Sequence, residues 1–211
     1  MTSDIKIRNI QKEDYPKAID FSLYGMHDNW YTDDPDQLLT FGKYFFYREL
    51  DEATKAYSAT IDNRFVGMLL ASIQGEEKIY RTEEQVDFVN KIDCLLAKKF
   101  PGTFDSYSKA NEEMFSSYLR KKDANPEGEI SFMDMDPTYQ GKGIATLLLN
   151  ALEEQEKGKE LYVFTDSGCT YQFYEHRGFI KEGERKVVFP LPKGNVPLTC
   201  FLYSKKVRGD K

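Results

Sequence analysis

The stretch "DPTYQGKGIATLLL", Asp136 to Leu149, decides how the chain is read. Two glycines flank a lysine. A strand-like run, "EISFMDMD" (Glu129 to Asp136), precedes them. Ile144, Leu147, Leu148, Ala151 and Leu152 then follow at i, i+3, i+4, i+7 and i+8, one apolar face of a helix. Glycine and alanine leave the backbone uncovered, so the N–H groups of residues 141 to 146 point into one concavity. The positive end of the helix dipole adds to them. Such a cradle suits a pyrophosphate, with Ile144 turned to the core as the anchor.

Three phosphate-binding patterns compete for this loop. A P-loop needs a glycine five positions before Gly141 and Ser or Thr after the lysine. This chain has Asp136 and Gly143 there. A dinucleotide fold needs Gly-x-Gly-x-x-Gly, and "GKGIAT" puts Thr146 at the third glycine. Asp166 stands where a ribose-binding acid would, but too little chain follows it for a second half-sheet. The third pattern is Gln-x-x-Gly-x-Ala, met by Gln140, Gly143 and Ala145.

Outward from the loop, apolar alternation and turn residues mark the other elements. "IKIRNI" (Ile5 to Ile10) reads as a strand, then a helix with Asp14 as cap and Pro16 at its start. A loop rich in acids and aromatics, "HDNWYTDDPD", leads to a helix over Gln37 to Leu50. "ATKAYSATI" and "RFVGMLLASI" form a hairpin around Asp62 to Arg64. From Gly75 to Gly128 the pattern is helical: one helix capped by Thr82 and ended by Pro101 and Gly102, and a second in "DSYSKANEEMFSSYLRKK". "KELYVFTD" is a strand and "CTYQFYEHRG" a short helix closed by Gly178. "RKVVFPLP" and "LTCFLYSKK" pair last. With no repeats or linkers, the 211 residues read as one α/β domain with a helical insertion at 75–128.

Composition narrows the partners. A net charge of −6 lacks the basic footprint of a nucleic-acid binder and favours cationic small substrates. Cys94, Cys169 and Cys200 are widely spaced, which argues for a reducing, cytoplasmic compartment. The N-terminus has no signal-type apolar region, and no apolar run nears the ~20 residues that span a membrane. With only His27 and His176, no metal cluster is expected.

The glycine motif, one intervening strand and then Tyr174, Gly178 and Phe179 in "YQFYEHRGF" together resemble the GNAT superfamily of acetyl-CoA-dependent N-acyltransferases. The element order from Ile5 onward fits too, so the resemblance covers nearly the whole chain outside the insertion. It implies a GNAT-like mixed, mostly antiparallel twisted sheet flanked by helices. That sheet is splayed at its two central strands, and the helical insertion falls between strands 3 and 4. Acetyl-CoA is the implied co-substrate.

The resemblance also implies roles. Gln140, Gly141, Lys142, Gly143, Ile144, Ala145 and Thr146 would hold the pyrophosphate. Met133, Asp134 and Met135 would line the cofactor arm, with the backbone of both methionines bonding to it. Tyr174 would be the general acid on the leaving sulfur. Glu129 stands where some members place a glutamate base, with Asp134 or a water chain as alternatives. The family often has Asn at Ser167, so that pantetheine contact departs from the pattern. Trp30 and Tyr31, in the loop that lines the acceptor site in this fold, would hold a cationic amine of a small molecule or peptide together with Asp134. His176 is expected on a solvated face. The insertion is open to two roles, a lid or a homodimer surface. A rival reading keeps the fold as a CoA-binding regulatory or structural module without turnover.

Overall fold

A computed structural model describes residues 4–25, 32–99, 102, 105–121, 123–139, 141–191 and 194–209. Its strands are β1 (Ile5–Asn9), β2 (Lys55–Ile61), β3 (Arg64–Ile73), β4 (Pro126–Met135), β5 (Glu160–Asp166), β6 (Ile180–Leu191) and β7 (Gly194–Lys206). They are hydrogen-bonded in the order β1-β2-β3-β4-β5-β7-β6, a mixed open sheet. The helices are α1 (Tyr15–Gly25), α2 (Pro35–Glu52), α3 (Glu83–Lys99), α4 (Asp105–Leu119), α5 (Ile144–Gln155) and α6 (Gln172–His176). The chain clusters into two compact units, Met1–Ile92 with Ile130–Lys157, and Asp93–Glu129 with Gly158–Lys211.

In the first unit β1, β2 and β3 pair antiparallel. Asp62 and Asn63 both take positive φ, 50° and 61°, in the two-residue turn that joins β2 to β3. Two left-handed residues match the right-handed twist of the flanking strands, and Asp and Asn tolerate that conformation best after glycine. α1 and α2 bury Ala18, Ile19, Phe21, Phe46 and Leu50 with Met68 and Leu70 of β3 and Phe132 of β4. Each large side chain so buried contributes about 1.5–3 kcal/mol. β2 and β3 are buried along almost their whole length, because α5 also packs on them.

Two helix starts differ from the sequence reading. Asp14 lies in a short 3₁₀ turn ahead of α1. Its carboxylate accepts both guanidinium nitrogens of Arg8, at 2.6 and 2.8 Å, and the Gln11 N–H at 2.9 Å. The carboxylate thus serves Arg8 and the capping box of the 3₁₀ turn rather than the first N–H groups of α1. α2 begins at Pro35 rather than Gln37, because Asp34 Oδ1 accepts the N–H groups of Asp36 and Gln37. Thr82 does cap α3, accepting the Gln85 N–H at 3.3 Å.

In the second unit β5 and β6 each pair antiparallel with β7, a longer final hairpin than the sequence suggested. The start of β4 pairs parallel with β5, Pro126↔Glu160 to Glu129↔Tyr162. α4 packs on β6 and β7, placing Met114 and Tyr118 against Cys200 and Leu202. Gly183 makes this approach close: a Cβ there would stand 2.9 Å from Met114 Cγ. Gly178, at φ 81°, closes α6 as expected, its N–H on the Glu175 carbonyl.

Candidate active site

Within the first unit, the end of β4 and the loop before α5 carry the phosphate motif. Gly141 and Gly143 have φ 78° and 79°, and a Cβ at either would meet nothing within 4 Å. The glycines are therefore needed for their left-handed backbone, not to relieve crowding. Gly143 is the N-cap of α5 and offers no side-chain cap, so the first N–H groups of the helix face outward from Ile144, Ala145 and Thr146. Ile144 is buried as predicted, its Cγ2 lying 3.0 Å from where a Cβ on Gly67 would be. Lys142 is exposed, its ammonium 4.5 Å from the centre of the Tyr139 ring. Gln140 lies outside the described residues, as do Trp30 and Tyr31.

Asp134 has an unusual setting in the same unit. Its Oδ1 accepts the Met135 N–H at 2.7 Å, so that backbone donor is engaged. Its Oδ2 is buried and has no hydrogen-bond partner among the described residues. The carboxyl group lies against the last residue of α1: a Cβ on Gly25 would stand 2.1 Å from Oδ2. Burial pushes its pKa up to about 6, against the lowering effect of the Met135 N–H. Asp136, by contrast, is a turn residue. It binds the N–H and hydroxyl of Thr138, which hold its pKa below the usual value.

Within the second unit, Tyr174 is buried between Phe173 and Phe179, with ring centres 5.4 and 5.5 Å away, both edge-on. Burial, with a smaller contribution from Cys169, raises its phenol well above the ordinary range. It therefore stays protonated at neutral pH, as a proton donor must. Glu129 is half-buried and accepts the Tyr162 hydroxyl at 3.1 Å. Burial raises its pKa, and the Tyr162 bond lowers it by less. Ser167 is fastened to β7: its Oγ accepts the Thr199 N–H at 3.0 Å, which leaves its own hydrogen free to donate. His176 is exposed, as expected.

Two residues escaped the sequence reading. Tyr162 meets Glu129 only through the parallel register of β4 and β5. Tyr107 of α4 donates to Asp166 Oδ2 at 3.3 Å, while Asp166 Oδ1 accepts the Gly168 N–H at 2.7 Å. Nothing local in the sequence ties either pair. Among the described residues no group of three or more His, Cys, Asp or Glu could hold a metal, and no helix is long and apolar enough to cross a membrane.

Solved structures share this architecture at low identity. The polyamine N-acetyltransferase of Drosophila melanogaster aligns with a TM-score of 0.57 at 14% identity, covering 96% of this chain and 100% of the other. A structure described as histone acetyltransferase HPA2 and related acetyltransferase, from Corynebacterium glutamicum, gives 0.56 at 13%, covering 98% and 97%. The ribosomal-protein-S18-alanine N-acetyltransferase of Escherichia coli gives 0.50 at 12%, covering 99% and 97%. No curated protein sequence matches. These likenesses establish the fold, and the sequence profile described as Acetyltransferase (GNAT) family matches residues 5–179, including the glycine loop and Tyr174. The chain belongs to the GNAT acetyltransferase family.

Proposed function

We propose that this protein moves the acetyl group of acetyl-CoA directly to a primary amine of a small molecule or peptide, as one N-acetyltransferase domain with an insertion at 75–128. The carrying observation is the pair of left-handed glycines opening α5, which leaves a row of N–H donors at a helix N-terminus. A pyrophosphate would take those donors.

The chemistry divides among the chain's own groups. The attacking amine gives up a proton to Glu129, directly or through water. Backbone N–H groups near Met133 would hold the negative charge on the carbonyl oxygen. Tyr174 donates its proton to the departing thiolate. Asp134 on β4, with a buried oxygen that has no partner among the described residues and that lies against Gly25 of α1, supports a cationic acceptor. Cys94, Cys169 and Cys200 form no disulfide among the described residues, in keeping with a reducing, cytoplasmic setting.

The test is thiol release from acetyl-CoA over polyamines, aminoglycosides, amino acids and peptide N-termini. At least one class should turn over. Tyr174→Phe should lower kcat by about 10²–10⁴-fold with little change in the KM for acetyl-CoA. Binding of acetyl-CoA by calorimetry, with no release on any amine, would instead identify a CoA-binding module without turnover.

A further inference from the structure

We infer that Tyr162 is a positioning residue for Glu129, held in place by the inserted helix α4. This rests on the reading of Glu129 as the proton acceptor. Glu129 and Tyr162 are Cα partners in the parallel register, so their side chains share one face of the sheet. The Tyr162 hydroxyl donates to Glu129 Oε2 at 3.1 Å. A half-buried carboxylate on a strand has several rotamers, and a fixed donor selects one.

The tyrosine is itself fixed. Phe115 of α4 lies with its ring centre 4.9 Å from that of Tyr162, and Phe164 is edge-on at 5.8 Å. Phe115 also contacts Phe164 and Tyr118, at 6.1 and 6.2 Å. One side of the Tyr162 ring is thus built from the helical insertion. The insertion then has a task besides the two considered from sequence: it holds the tyrosine that binds Glu129.

The charged and titratable groups around the pair come from four elements. They are Glu129 on β4, Tyr162 with Glu160 on β5, Tyr118 on α4, and Glu182 on β6 beside Tyr118. Burial pushes both phenols up, and the neighbouring carboxylates, Glu129 beside Tyr162 and Glu160 beside Tyr118, push them further. Both phenols therefore stay protonated while Glu129 titrates. A donor that binds the ionised carboxylate lowers its pKa, so removing the donor raises it.

The experiment is a carbon NMR titration of the full chain labelled at Glu carboxyl and Tyr Cζ carbons. The Glu129 signal is identified by its loss in Glu129→Gln. In Tyr162→Phe the Glu129 midpoint should move to higher pH. Phe115→Ala should move it the same way by less. In the unmutated chain the Tyr162 Cζ signal should titrate with the Glu129 midpoint, a readout that needs no folded Tyr162 variant. A Glu129 midpoint unmoved in a folded Tyr162→Phe, or a Tyr162 signal blind to Glu129, overturns the inference. The proton-acceptor reading fails separately, if Glu129→Gln keeps the unmutated transfer rate across pH.

Discussion

Asp134 puts a carboxyl oxygen in a buried place with no partner among the described residues, and that has a cost unless a ligand answers it. With a pKa of about 6, it is neutral well below that pH and charged above it. The KM for a cationic acceptor should therefore fall as pH rises from 5 to 7. Asp134→Asn should abolish that dependence and raise the acceptor KM about tenfold, the worth of one charged hydrogen bond. Steady-state kinetics at several pH values would check both. Gly143→Ala should act on the other substrate. A left-handed alanine costs about 1–2 kcal/mol, so acetyl-CoA should bind several-fold more weakly in calorimetry. The place of Gly143 at the opening of α5 was legible in the sequence, because a glycine just before an amphipathic run is a signal carried by neighbouring residues. The setting of Asp134 was not, since Gly25 reaches it from far along the chain.

Among the elements, α2 shows how a short signal is hidden by its surroundings. Asp34-Pro35 is a strong helix start, yet it sits in the acid-rich run "TDDPD", where the sequence reading placed a loop. Asp34→Ala should cost about 1 kcal/mol and lower the melting temperature by about 2–4 °C in a calorimetric scan. The β2–β3 turn and the Thr82 cap were read correctly, because a turn or a cap is decided by residues within three positions of one another. Asp14 was misread for the opposite reason. Its partner Arg8 lies on a strand, and which acid a strand arginine meets depends on how the next segment folds back.

Across the whole molecule, stability should depend on pH in a direction set by its buried acids. Asp51 in the last turn of α2 is buried, and its Oδ1 has no partner among the described residues. Burial first, opposed by Arg81 and Lys78 and aided by Glu52, raises its pKa from 3.8 to about 6. Its folded state binds the proton more tightly than the unfolded chain does. The stabilisation is thus full below about pH 4 and is lost as pH rises through 6. Asp134 and Glu129 shift in the same direction. The urea midpoint should be higher at pH 5 than at pH 7.5, and Asp51→Asn should flatten that slope. The sequence by itself determined the order of elements, the left-handed glycine loop opening α5 and the signature around Tyr174. Each is written in neighbouring residues, where backbone sterics and local hydrogen bonds decide. Only the tertiary structure decided that Glu129 meets Tyr162, that Phe115 of the insertion holds that tyrosine, and that Asp134 is buried against Gly25. Strand register and helix docking follow from many weak packing contacts summed over the fold, and no short stretch of sequence carries that sum.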